Sequence, residues 1–322
     1  MKKSPSSDEK YPLANTGAPV SITTPRQAWW AAIGRTTPEH MWIPDPQVRP
    51  DVPIQHLWWA GYHAATLLPD VIVLGNDWWD FPTLNYWTRD DAGMDAMDVI
   101  GDICSAHHAL DVFLDGFIHG CNTRKNVPDD YDPLFVFLEG NHDWRAKRLF
   151  QNDMRLARLF PMPETITRRI FAARDMKVRW VNWKKTITID SVNYAHAAIN
   201  PASAKPMGGK AQSKLTRLKD TYVIGHHVGK DLAEDFTPSG RKIRFVQAGS
   251  YYLHDEEYSP CTNYWRGIIY MHDVKDGYFN LMEIDMEYLW KRYQKHTGWI
   301  YADCSWQEHL YDKNVDNPEE EE

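Results

Sequence analysis

From about residue 56 to residue 286 the apolar positions switch repeatedly between helical and extended spacing. His56 to Leu68 reads as a helix stopped by Pro69. The run Val71-Ile72-Val73-Leu74 is wholly apolar and largely β-branched, the composition of a strand buried on both faces. From Met94 to Ile118 apolar residues recur at Met97, Ile100, Ile103, Leu110, Leu114 and Ile118, which predicts a long amphipathic helix ending before Gly120. Leu134 to Leu138 is a second strand of the buried kind, and a basic helix follows from about Trp144. Beyond it, Thr186 to Ala195, Tyr222 to Ile224 and Lys242 to Ala248 read as strands, and Ile268 to Met286 as a hairpin turning at Asp276-Gly277.

This alternation predicts an α/β protein with two sheets flanked by helices. Residues 1–38 read as an N-terminal tail, rich in Ser, Pro and Thr over its first 25 or so, with a short helix from Gln27 to Gly34 bearing Trp29 and Trp30. Residues 39–295 form the expected folded domain. Residues 296–322 form a C-terminal extension that closes on the acidic run Glu319 to Glu322. The sequence contains no internal repeat.

Composition narrows the class. A chain of 322 residues, 43% hydrophobic and 25% charged, can bury a substantial core. No apolar run approaches the roughly 20 residues that span a bilayer, so no membrane partner is expected. The opening MKKSPSSDEK lacks the apolar stretch of a secretory signal. Cys104, Cys121, Cys261 and Cys304 are scattered, which fits a reducing compartment and excludes a zinc ribbon. Together these predict a cytoplasmic protein. The fifteen tryptophans suit cores and binding surfaces alike. The net charge of −8 is uneven: Arg145 to Lys185 holds twelve Lys and Arg against three Asp and Glu, and Lys205 to Lys219 is a second basic stretch. Such a face can steer a polyanion, although solvated helix surfaces account for the same charges.

The chemistry lies where strands end. Val71 to Leu74 runs into Gly75-Asn76-Asp77, with Asp80 three residues on. Leu134 to Leu138 leads to Gly140-Asn141-His142-Asp143, a third strand carries His196, and a fourth ends in Gly225-His226-His227. Asp45 and Gln47 precede the first helix. Ligands of α/β sheets collect at the carboxyl ends of strands, where loops converge over a dry core. A carboxylate such as Asp77 can bridge two divalent cations while imidazoles and an amide oxygen complete their shells. Two such ions can activate water and clamp phosphoryl oxygens. Taken singly, each Asp could be a turn cap and each His a core residue; as a set on successive strand ends they point to a metal site.

The set resembles the calcineurin-like metallophosphoesterase superfamily, whose pattern is D-x-H, G-D-x-x-D, G-N-H-D/E, a lone His, then G-H-x-H. The match spans about residues 42–230, and Gly140 to Asp143 fits completely. The pieces IPDPQVRPDVPIQHL, PDVIVLGNDWWDFPTL, FLEGNHDWR, GSYYLHDEEY and YWRGIIYMHDV resemble a branch common in bacteriophage and prophage genomes. The resemblance implies a calcineurin-like two-sheet β-sandwich flanked by helices, with its metal site on loops at strand C-terminal ends. It implies two divalent metal ions, Mn²⁺ foremost, with Fe, Zn, Ni or Mg as alternatives. Asp77 would bridge them, Asn141, His196 and His226 would complete one shell, and Asp45 would bind the other ion. His142 would stand beside the substrate with Asp143 orienting its ring and Asp80 as a brace. Arg145 and Arg148, one turn into the next helix, are candidate phosphate contacts outside the family pattern.

Three departures qualify the resemblance. Gln47 replaces the His of D-x-H, Asn76 is inserted after Gly75, and Val228 stands where G-H-x-H has its second His. Valine ligates nothing, so the ion on the Asp45 side is expected to be the weaker one. His227 would substitute for the missing His only if the loop were re-routed, since neighbouring side chains of an extended segment point apart. The expected activity is phosphodiester hydrolysis on DNA or RNA. The alternatives are a small phosphoester substrate, such as a cyclic nucleotide or a phosphomonoester, and a degenerate metal-binding protein without turnover.

Overall fold

A computed structural model of the chain describes residues 20–75, 77–85, 98–152, 162–255 and 264–302. Asn76, Met94, Met97, Glu256, Glu257, Cys261, Cys304 and the run Glu319 to Glu322 lie outside the described residues, as do residues 1–19.

The strands pair into two six-stranded mixed sheets. One has the order β12 (Tyr278–Asp285), β11 (Gly267–Lys275), β2 (His40–Trp42), β3 (Val71–Gly75), β4 (Leu134–Leu138) and β5 (Val178–Val181). Its strands β2 to β5 are parallel, and β11 is antiparallel to both β2 and β12. The other has the order β1 (Val20–Ile22), β6 (Ile187–Ile189), β7 (Val192–Ala195), β8 (Tyr222–Ile224), β10 (Lys242–Ala248) and β9 (Lys230–Phe236). There β7, β8 and β10 are parallel neighbours.

Period-two alternation explains how the central strands are buried twice over. Val71, Val73, Leu134, Val136 and Leu138 face the second sheet and pack with Val192, Tyr194, Val223 and Val246. Their neighbours Ile72, Leu74, Phe135 and Phe137 face the opposite way, into a core shared with α1 (Gln55–Leu67) and α2 (Val99–Thr123). Beyond α2 the chain forms α3 (Asp143–Asn152) and α4 (Pro163–Ala172). Ala211 and Leu215 of α5 (Ala211–Leu218) cover the outer face of the second sheet at Ile224, Ile243 and Phe245. The architecture is thus an α/β two-sheet sandwich with helices on both outer faces. Among the described residues no helix is long and apolar enough to cross a membrane.

Several expectations change. The helix predicted to end before Gly120 runs from Val99 to Thr123, capped by the Asp98 carboxylate on the Ile100 amide at 2.9 Å. Gly120 is a packing residue there, because a Cβ on it would lie 2.6 Å from that of Ala65 on α1. The stretch Thr186 to Ala195 is two strands, broken where Asp190 and Ser191 take φ of 48° and 63°. The folded part reaches beyond 39–295 at both ends. Val20–Ile22 is an edge strand, and Thr24 donates its backbone amide and hydroxyl to Asp190 at 2.9 and 2.6 Å. Trp29 and Trp30 are buried, with the Trp30 indole donating to Asp70 at 2.8 Å. After α6 (Met286–Thr297), Ile300 accepts from the Ile54 amide at 2.8 Å and Ala302 donates to Val52 at 2.9 Å. Asp276 and Gly277 both have positive φ, and this two-residue turn closes the expected hairpin.

Candidate metal centre

Five strand ends deliver the site. Three parallel neighbours, β2, β3 and β4, release Asp45, Asp77 and Asn141 at one edge of their sheet; β7 and β8 release His196 and His226 from the other. The Asp77 carboxylate and the two imidazoles offer ligand atoms within 4.8 Å of one another. His196 Nε2 lies 2.8 Å from Asn141 Oδ1, 3.1 Å from His226 Nδ1 and 3.4 Å from Asp77 Oδ2. A single ring nitrogen carries at most one proton and cannot serve three such neighbours as a donor. Four electron-rich atoms crowded about one point are a shell suited to a cation.

The backbone is bent to make this convergence. Gln47, Asp77 and His226 have φ of 45°, 51° and 66°, a region costly for residues with a Cβ. Gly140 lies flush against the Asp77 carboxylate: a Cβ on it would sit 2.1 Å from Asp77 Oδ1. The amide of His142 donates to that same oxygen at 2.7 Å. Asp45 accepts from the His226 amide at 2.8 Å, which ties the two sheets together across the site.

Three buried carboxylates share this small volume, and electrostatics records the strain. Burial, reinforced by the negative charge of Asp77, pushes Asp45 and Asp143 well above the usual carboxylate range. Burial works against ionised Asp77 too, yet the imidazoles of His142, His196 and His226 hold it below that range. Burial and the proximity of His196 push His226 down to about 3, so it is a neutral imidazole ready to ligate. Asp45 Oδ1, Gln47 Oε1 and His196 Nδ1 are buried without a hydrogen-bond partner. The two oxygens are orphaned acceptors, costly at this depth, and a divalent cation beside Asp45 would satisfy them. The crowding of Asp77 Oδ2, Asn141 Oδ1 and His226 Nδ1 about His196 Nε2 is the donor set that fits a metal.

His142 is more exposed than His196, its side chain 16% exposed against 1%. Its Nδ1 pairs with Asp80 Oδ1 at 2.8 Å, and its Nε2 lies 3.8 Å from Asp77 Oδ2. Burial opposes charge on His142, but Asp77 and Asp80 raise its pKa above the usual imidazole value. Asp80 is held below the usual carboxylate range despite its burial, chiefly by the hydrogen bond from His142, with Arg145 and Arg49 assisting.

Not every expected residue takes its expected place. Asp143 does not orient the His142 ring. Its carboxylate accepts from the amides of Trp79 at 2.9 Å and Gly140 at 2.7 Å and locks the two metal loops together, while Asp80 holds the imidazole. His227 stands apart from the metal cluster: the left-handed turn at His226 sends its Nε2 to Lys214 Nζ at 2.8 Å. Burial and the Lys214 charge push His227 down to about 4. Val228 contributes only its carbonyl, which accepts from the Trp265 amide at 3.1 Å. Arg145 turns inward, donating to the Asp80 carbonyl at 2.7 Å and approaching His142 Nε2 at 3.0 Å. Arg148 is exposed, its guanidinium 6.0 Å from the Trp144 ring centroid. Of the neighbouring ligand-type residues His254 and Asp255, Asp255 is an exposed partner of Arg266 at 2.8 Å.

One residue escaped the sequence reading altogether. Trp183, in the loop after β5, meets His196 edge-on at 5.2 Å and His226 at 6.4 Å between ring centroids. Only its place within the basic stretch hinted at it.

No family model matches the chain, and no curated protein matches it. One solved structure aligns with 78% of this chain and 100% of its own length, at 10% identity and a TM-score of 0.30. A likeness that low bears on neither fold nor activity.

Proposed function

We propose that this protein is a metal-dependent phosphodiesterase of calcineurin-like architecture that cleaves nucleic acid. The observation that carries the reading is the convergence of Asp77, Asn141, His196 and His226 beside a partly exposed His142 backed by Asp80. A bound divalent cation supplies Lewis acidity at the phosphate and lowers the pKa of water. The chain's own groups do the rest. Asp77 and Asp80 favour a charged His142. Once the Arg145 guanidinium that donates to its Nε2 in this structure turns to the incoming phosphate, that nitrogen could give a proton to the leaving oxygen as the P–O bond breaks and water adds in line at phosphorus. Arg145 lies against that same nitrogen, so a substrate phosphate entering beside His142 comes within reach of a guanidinium.

A second ion would sit on the Asp45 side. The orphaned, buried Asp45 Oδ1 and Gln47 Oε1 support it, and the loss of a ligand at Val228, with His227 turned to Lys214, makes it the weaker of the two. That weakness also keeps alive the degenerate binding protein.

Rates on p-nitrophenyl phosphate, its bis ester and DNA and RNA oligonucleotides, with Mn²⁺, Ni²⁺ or Mg²⁺ supplied, test the reading. It predicts cleavage of the diesters and of at least one nucleic acid. Turnover of the small esters alone would replace it with a small-molecule phosphoesterase. Tight metal binding without turnover would replace it with the binding protein.

A further inference from the structure

Outside the ligand shell, one side of the site is aromatic and basic. Trp183 is half-buried, its ring centroid 5.2 Å from that of His196 and 6.4 Å from that of His226, two of the residues that would hold the metal. Its backbone is fixed: the Trp183 amide donates to Glu139 Oε2 at 2.8 Å, and the Lys185 amide closes a turn onto the Asn182 carbonyl at 3.0 Å. Lys184 and Lys185, the next two residues, are exposed. The same loop is held to α3 by the Lys147 ammonium, which donates to Asn182 Oδ1 at 3.1 Å. One helical turn from Lys147 on its own side of α3 lies Trp144, with the exposed Arg148 guanidinium over its ring.

We infer that Trp183 is a specificity-determining residue that stacks a nucleobase beside the scissile phosphate, which makes unpaired nucleic acid the substrate of the site. This rests on the phosphodiesterase reading above. Three features argue for it. A half-buried indole next to the metal ligands, on a backbone held by Glu139, offers a π-face to any base without reading its edges. The ammonium groups of Lys184 and Lys185 leave the same loop and can follow the phosphates on either side of the stacked nucleotide. A paired base presents its face to its neighbours in the duplex, so stacking on Trp183 needs a base that is already free.

The test compares the Mn²⁺-loaded wild type with Trp183→Ala and Trp183→Phe on two substrates: a single-stranded oligonucleotide, and a strand of equal length made of abasic sugars. Stacking by Trp183 predicts that Trp183→Ala loses roughly 5- to 150-fold in kcat/KM on the normal strand, mainly through KM. The abasic strand is cleaved equally by both proteins, and Trp183→Phe recovers most of the loss. If Trp183 only props His196, both substrates lose alike, and the inference falls. It falls equally if Trp183→Ala cleaves the normal strand as well as the wild type does. Should the wild type cleave bis-p-nitrophenyl phosphate but neither strand, the nucleic-acid reading itself has failed and takes the inference with it.

Discussion

Asp80 Oδ1 stands 2.8 Å from His142 Nδ1, although the two residues are 62 positions apart in the chain. The contact fixes the tautomer and orientation of the imidazole and leaves Nε2 directed towards the Asp77 side of the site. Asp80→Asn keeps the shape but removes the charge that favours the imidazolium. Loss of such a supporting partner costs about 10- to 100-fold in activity. The loss should be larger on an oligonucleotide, whose alkoxide leaving group needs a proton, than on bis-p-nitrophenyl phosphate, whose leaving group does not. Paired rate measurements on the two esters check this; an equal loss on both would remove His142 from the role of acid.

Gly140 predicts a different failure. A Cβ at this position would press on Asp77 Oδ1 from 2.1 Å and on the Asp77 amide from 2.3 Å. Gly140→Ala should therefore displace the Asp77 carboxylate and weaken Mn²⁺ binding by on the order of 10- to 100-fold. Calorimetric titration reads the affinity, and far-ultraviolet circular dichroism should show the fold retained. Unchanged affinity would mean that Asp77 is not a principal ligand.

Metal binding should stabilise the protein. Asp45, Asp77 and Asp143 are buried close together, and a cation that binds only the folded state adds about 2.7 kcal/mol at one hundred times its Kd. Thermal denaturation after chelation and after Mn²⁺ is restored should differ by several degrees, and the difference should vanish in Asp77→Ala.

Asp102 supplies a pH signature away from the metal. Burial pushes its carboxyl up to about 7, although the Thr83 hydroxyl and amide donate to it. A folded pKa above the unfolded value near 3.9 means that the folded state holds the proton longer. Its favourable contribution is complete below about pH 4 and is lost as pH rises through about 7. Asp102→Asn removes that loss. Its melting temperature should exceed the wild type's by a few degrees at pH 8 and converge with it near pH 4. A gap independent of pH would show that Asp102 is not buried as a neutral acid.

What could be read from sequence follows from how local each signal is. Val71 to Leu74 and Leu134 to Leu138 announced themselves, because a strand covered on both faces must be apolar at every position. β2 is three residues long and contains His40, whose ring pairs with Tyr194 and Asp190 from the other sheet, so its burial could not be inferred locally. β5 lay hidden in the basic stretch, where Arg179 is nonetheless buried. β9 is an edge strand with a single buried residue, Ala233, and carries no apolar run. The cluster of Asp77, His196 and His226 was legible because its residues sit at strand ends, where type and position suffice. The parts played by Asp80 and Asp143 were not, because they depend on which loop carbonyls and amides meet in space. The divergence of His226 and His227 hangs on one left-handed residue, which nothing in Gly225-His226-His227-Val228 demands.

On the reading proposed above, metal held at the Asp77 cluster drives phosphodiester hydrolysis. The most direct measurement strips the protein of metal and titrates Mn²⁺ back while following bis-p-nitrophenyl phosphate, with Asp77→Ala alongside. The account predicts no turnover without metal, saturable recovery in the wild type and none in the variant. Activity that survives stripping, or that Asp77→Ala recovers in full, would contradict it.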